Sequence, residues 1–74
     1  MTIDAAIYEA RKRIREKKLD HGFYIVWSPE IFDCPGHHYH IAEERELNTF
    51  FLGAPVAGYV ESSGEAQVDL FAGN

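Results

Sequence analysis

The sequence predicts an α+β fold, in which an N-terminal helix packs on a small antiparallel sheet of three to four strands. Three observations predict it: helical spacing of apolar residues near the N-terminus, period-two alternation in the middle, and a turn between two strand-like stretches near the end. The chain has 74 residues, 46% hydrophobic and 26% charged, which is typical of a folded protein of one domain. We therefore expect a single small globular domain over residues 1–74.

The first predicted element is a helix over residues 3–19. One face of it carries apolar residues at spacings of four, three and four: Ile3, Ile7, Ala10 and Ile14. Thr2 is suited to cap the N-terminus of this helix. Gly22 follows a charged run and is expected to end the helix in a left-handed conformation.

The stretch GFYIVWS, from Gly22 to Ser28, predicts a central strand. Its apolar side chains point alternately to both faces, so we expect the helix to cover one of them. Trp27 faces the same way as Phe23 and Ile25 and is expected to lie in the core. The stretch HHYHIA, residues 37–42, predicts a short second strand that pairs with the first.

Residues 42–53, AEERELNTFFLG, favour a short second helix, although residues 47–52 also suit a strand. Three glutamates match the positive end of that helix and are expected to be exposed: Glu43, Glu44 and Glu46. Residues 55–61 and 66–71 then predict a hairpin, because the intervening SSGE contains a glycine that can adopt positive φ.

Charge is distributed unevenly along the chain. Residues 1–19 have six basic and three acidic side chains, whereas residues 20–74 have one basic and nine acidic side chains, which gives the net charge of −5. An acidic body argues against duplex DNA and against an anionic membrane surface as partners. The longest uncharged stretch is too short to span a bilayer. The single cysteine and the lack of an apolar leader predict a cytoplasmic protein.

The stretch DCPGHHYH, from Asp33 to His40, places the only cysteine beside three of the four histidines. One alternative is a metal-binding or redox-responsive module that uses Cys34, His38 and His40, since alternate residues of a strand share a face about 6.6 Å apart. The lack of a second Cys/His pair weighs against it. A Cys34–His37 nucleophile pair lacks a group to orient the base. The simplest interpretation is a turn followed by exposed histidines.

The leading hypothesis is a small interaction protein without catalysis. The glycines form no phosphate loop and no dinucleotide fingerprint, so we expect no cofactor and no enzyme activity. Bacteria and their phages encode compact acidic proteins as inhibitors or adaptors, including blockers of nucleic-acid-binding enzymes, which is an analogy of size and charge. Under this hypothesis a larger, basic protein partner binds an acidic face with one aromatic residue: Glu43, Glu44, Glu46, Glu61, Asp69 and Tyr59.

A second alternative is a nucleic-acid binder that uses the basic side of the first helix. Arg11, Arg15 and Lys18 line up at positions i, i+4 and i+7. A solvated helix face explains the same pattern, because Glu9 and Glu16 can pair with neighbouring basic residues. The oligomeric state is left open, with a homodimer as one alternative.

Overall fold

The structure is a computed structural model that describes residues 1–28 and 38–68. It confirms the predicted α+β class, with an N-terminal helix on a four-stranded antiparallel sheet and a short second helix. The elements in chain order are α1 (Ile3–Lys17), β1 (Phe23–Trp27), β2 (Tyr39–Ala42), α2 (Glu44–Leu47), β3 (Val56–Val60) and β4 (Ala66–Val68).

Helix α1 begins as predicted and ends two residues early. The Thr2 hydroxyl oxygen accepts a hydrogen bond from the Ala5 N–H at 3.1 Å, so Thr2 is the N-cap. The prediction that Gly22 ends the helix is wrong, because Lys18 adopts the left-handed conformation with φ of 51°. There the N–H groups of Lys18 and Leu19 both donate to the Ile14 carbonyl oxygen, which satisfies the end of the helix locally.

Gly22 has a different role, at the start of β1. A β-carbon at this position would lie 1.9 Å from the Val60 carbonyl oxygen and 2.9 Å from the ring of Tyr59. A glycine is therefore needed because the chain passes directly against the end of β3.

The sheet has the strand order β2-β1-β3-β4, which confirms that β1 is an inner strand. Its pairing with β3 is irregular at one point: Ile25 lies opposite Gly58, whereas Val26 lies opposite Val56. Ala57 is the extra residue between them and is fully buried. The last two strands pair as in the predicted hairpin, and Gly64 in its turn has φ of 95°. Residues 69–71 of the predicted second strand lie outside the described residues.

The two faces of β1 contribute to two separate clusters. The larger cluster lies between α1 and the sheet and contains seven buried residues: Ala6, Ala10, Ile14, Phe23, Ile25, Ala57 and Val60. The smaller one lies on the opposite face, where the segment that contains α2 packs on the sheet through Val26, Ala42 and Phe51. The prediction that β1 is apolar on both sides is thus confirmed.

The prediction that Trp27 lies in the core is wrong. It is half-buried and belongs to neither cluster. Its ring meets that of His38 edge-on, with 6.4 Å between centroids. Trp27 is the last residue of β1, whereas the buried residues of α1 share their cluster with Phe23 and Ile25.

Candidate functional site

Part of the sheet face opposite α1 is left uncovered by the α2 segment. Tyr24 and Tyr59 lie directly opposite each other on β1 and β3, with ring centroids 4.7 Å apart and a tilt of 58°. Gln67 on β4 is paired with Tyr59, and Val56 is paired with Val26, so both share this face. We refer to Tyr24, Val56, Tyr59 and Gln67 as the tyrosine face.

Two open grooves meet at the tyrosine pair. The first, of about 550 Å³, lies between the pair and the start of α2. The second, of about 430 Å³, runs over the hairpin past Val56 and Gln67. Tyr24 and Tyr59 line both grooves, so the tyrosine pair lies between them.

Tyr59 is held in place by the backbone. Its hydroxyl oxygen accepts a hydrogen bond from the Gly22 N–H at 3.2 Å. The same close approach that requires a glycine at position 22 thus fixes the ring of Tyr59. A ring with few alternative rotamers loses little conformational entropy when a ligand packs on it.

The first groove has a charged rim. Glu43 forms an ion pair with Arg45, with 3.2 Å between its Oε2 and Arg45 Nε, and its Oε1 lies 3.8 Å from His21 Nε2. Glu44 is exposed and forms no ion pair within the described residues. The rim therefore has two carboxylates, one of which is partly neutralised by Arg45.

The acidic residues predicted to act together are not all in one place. Glu43, Glu44 and Tyr59 line the first groove, and Glu61 lies at the hairpin, where its Oε2 is 3.5 Å from Gln67 Nε2. Asp69 lies outside the described residues.

The expectation that all three helix-start glutamates are exposed is wrong. Only Glu44 is exposed. The Glu46 Oε1 accepts a hydrogen bond from the Glu43 N–H at 2.8 Å, as in a capping box, which turns the Glu46 carboxylate back towards the chain. Glu46 therefore belongs to the start of α2, on the side of the Arg13–Lys17 end of α1.

The described histidines of the DCPGHHYH stretch lie at the β1–β2 end of the sheet. His40 packs against Phe51, with 5.8 Å between ring centroids, and its Nε2 is 3.3 Å from the Ser28 carbonyl oxygen. Among residues 1–28 and 38–68 no group of three or more His, Cys, Asp or Glu side chains is arranged to hold a metal ion. Cys34 and His37 lie outside the described residues, so the metal and nucleophile alternatives stay predictions.

The predicted basic face is divided among different contacts. Arg11 Nε donates to the Gly64 carbonyl oxygen at 2.7 Å and so joins α1 to the β3–β4 turn. Arg15 is exposed and lines a groove next to the same turn. Lys18 forms the left-handed end of the helix. All three residues are exposed, and of the three the Arg11 guanidinium is oriented by its bond to the turn.

Tyr24 was not among the contact residues that the sequence predicted. Its side chain is half-buried, contacts the smaller cluster and lines both grooves. The signal was present in the alternation of β1, because Tyr24 points away from the face that α1 covers. The short α2, of four residues, cannot cover the whole opposite face.

In comparisons with protein-family models, with curated proteins and with solved structures, no match to this chain was found. Within the described part of the chain, no helix has the length and apolar character needed to cross a membrane.

Proposed function

We propose that this protein is a non-catalytic interaction module that docks its tyrosine face onto a larger, basic protein partner. The observation that carries the proposal is the Tyr24–Tyr59 pair, which lies uncovered in a depression with carboxylates on its rim. In this role the protein acts as an inhibitor or adaptor, in a reducing cytoplasmic compartment that keeps its one cysteine free.

Interface anatomy supports the proposal. Binding energy is usually concentrated in a few large side chains, often Tyr, surrounded by polar residues that exclude water. The tyrosine face has this arrangement, with Glu43 and Glu44 on one side and Glu61 and Gln67 on the other. Phe50 and Leu52, in the segment after α2, are 68% and 74% exposed and are further apolar side chains available for contact.

Charge supports a basic partner. Residues 20–74 contribute a net charge of −8, from nine acidic and one basic side chain. A surface of one sign accelerates encounter with a surface of the opposite sign, by 10- to 10³-fold at low ionic strength. We expect carboxylates on the rim to set the association rate, and the tyrosines to set the dissociation rate.

The test is surface-based binding kinetics against the protein captured from native cells. The association rate should fall steeply as salt is raised, while dissociation changes little. The Glu44→Lys substitution should slow association several-fold, because Glu44 is exposed on the groove rim.

The matched control is Glu16→Lys, which makes the same charge change at an exposed position on α1. Equal slowing by the two variants would mean that only the overall charge matters. An association rate that ignores both salt and Glu44→Lys would contradict the proposal that the acidic rim recognises a basic partner.

A further inference from the structure

A polar groove lies between α1 and the turn that joins β3 to β4. Its volume is about 420 Å³, and its lining includes two arginines and two serines: Arg11, Arg15, Ser62 and Ser63. Ile14, which is buried, also contributes to the lining. The groove thus brings cations from the helix and hydroxyl donors from the turn to one place.

The two arginines are available to a ligand. Arg11 is oriented by the bond from its Nε to the Gly64 carbonyl oxygen at 2.7 Å, which leaves the N–H groups of its two terminal nitrogens. Arg15 lies one helical turn further along the same side. Neither guanidinium forms an ion pair with a carboxylate within residues 1–28 and 38–68.

The turn adds neutral donors. The Ser62 side chain has no hydrogen-bond partner among the described residues. The Ser63 oxygen accepts a long hydrogen bond, of 3.5 Å, from the Glu65 N–H, so its own hydroxyl proton is still able to donate. The carboxylate of Glu61 is directed to Gln67 on the tyrosine face, away from the helix side of the sheet.

We propose that this groove is a binding site for a phosphate monoester. A phosphoryl group has about two negative charges at neutral pH and three acceptor oxygens, and arginine forks bind it with two parallel hydrogen bonds. The two arginines and two hydroxyls match one such group. A nucleic-acid backbone would instead need an extended row of cations, and the net charge of −5 opposes a long polyanion.

The site is independent of the proposed docking function, because it lies on the α1 side of the sheet. The test is a titration of the isotope-labelled protein with inorganic phosphate and with phosphoserine, followed by NMR. We expect saturable shifts in the millimolar range at the amides of Ser62, Ser63 and Gly64, with matched ionic strength in chloride producing none. The Arg15→Gln variant should bind about tenfold more weakly, since it removes charge-assisted hydrogen bonds.

Arg15→Gln is the decisive variant, because Arg15 makes no side-chain contact that the fold needs within the described residues. The control is Arg13→Gln, an equal loss of charge at an exposed position that pairs with Glu9 instead of lining the groove. Equal weakening by both variants, or shifts spread over all the basic residues of α1, would overturn the proposal.

Two further ligands distinguish the sources of the phosphoryl group. A phosphoserine peptide that binds more tightly than free phosphoserine would identify a phosphorylated protein, and equal affinities would identify a small phosphorylated molecule. Dimethyl phosphate, a singly charged diester, should bind at least several-fold more weakly than phosphate. If dimethyl phosphate or a single-stranded oligonucleotide bound as tightly as phosphate, a monoester site would be excluded.

Discussion

Among residues 1–28 and 38–68, seven buried residues form one cluster on the side of the sheet that faces α1, whereas three are buried on the opposite side. The 15-residue α1 covers its side with two alanines and an isoleucine that contact the sheet closely. On the other side, the segment that contains α2 packs on Val26 and Ala42 through Phe51, and the Tyr24–Tyr59 pair lines the open groove beside it. We infer that the first side mainly stabilises the fold and that the second is available for contact.

The largest expected effect is on the free energy of unfolding, and it should differ between Ile25 and Trp27, two residues of β1. Ile25→Ala should cost about 2–5 kcal/mol, comparable to the stability of a domain this small, because Ile25 is fully buried between α1 and the sheet. Trp27→Ala should cost less, since Trp27 is half-buried and outside both clusters.

Thermal melts followed by circular dichroism measure both variants. The sequence alone predicted a core position for Trp27, so a cooperative melt for Trp27→Ala and none for Ile25→Ala would support the burial seen in the structure instead. The reverse result would show that the larger cluster is not the main source of stability.

A smaller loss of stability is expected from a substitution at Gly22, where the chain enters β1 beside β3. Gly22→Ala should destabilise the domain by about 1–3 kcal/mol, because the added methyl group meets the Val60 carbonyl oxygen and the Tyr59 ring. Gly53→Ala is the comparison: it has open space around it but φ of 83°, so it should cost about 1 kcal/mol. Denaturant titrations measure the stability of both variants. A Gly22→Ala variant as stable as wild type would mean that β1 does not approach β3 so closely.

Much of this fold follows from local patterns in the sequence. The spacing of Ile7, Ala10 and Ile14 predicted α1, and the alternation in residues 23–27 predicted an inner strand with two apolar faces. These patterns are reliable because each reflects burial on one face of a regular element.

The candidate site was less predictable, because it depends on distant parts of the chain. The proximity of Tyr24 to Tyr59 depends on the register between β1 and β3, which includes an irregularity at Ala57 that no local pattern indicates. Arg11 meets Gly64 across 53 residues, so the groove between α1 and the turn could not be read from the charge run alone. The end of α1 at Lys18 was also missed, since glycine is the residue usually expected there.

The smallest expected effect is a difference in stability between variants of two glutamates of α2, Glu44 and Glu46. Glu46→Ala should destabilise the domain by about 0.5–1 kcal/mol, because its carboxylate accepts from the Glu43 N–H at the start of α2. Glu44→Ala should change stability by less than about 0.5 kcal/mol, as is usual for an exposed side chain without such a bond. Chemical denaturation measures both variants, and equal values would indicate that the capping contact contributes nothing.

The most direct test of the central claim is the affinity of the captured partner for two tyrosine variants. Tyr24→Ser should weaken binding at least about tenfold, because Tyr24 lines both grooves of the tyrosine face. Tyr8→Ser should have no effect, since Tyr8 is 65% exposed on α1, on the opposite side of the sheet. Gln67→Arg tests the same face at an exposed position without altering the smaller cluster, and it should also weaken binding of a basic partner. If Tyr8→Ser weakened binding while folded Tyr24→Ser and Gln67→Arg variants bound like wild type, the partner would dock on α1 and the account would be wrong.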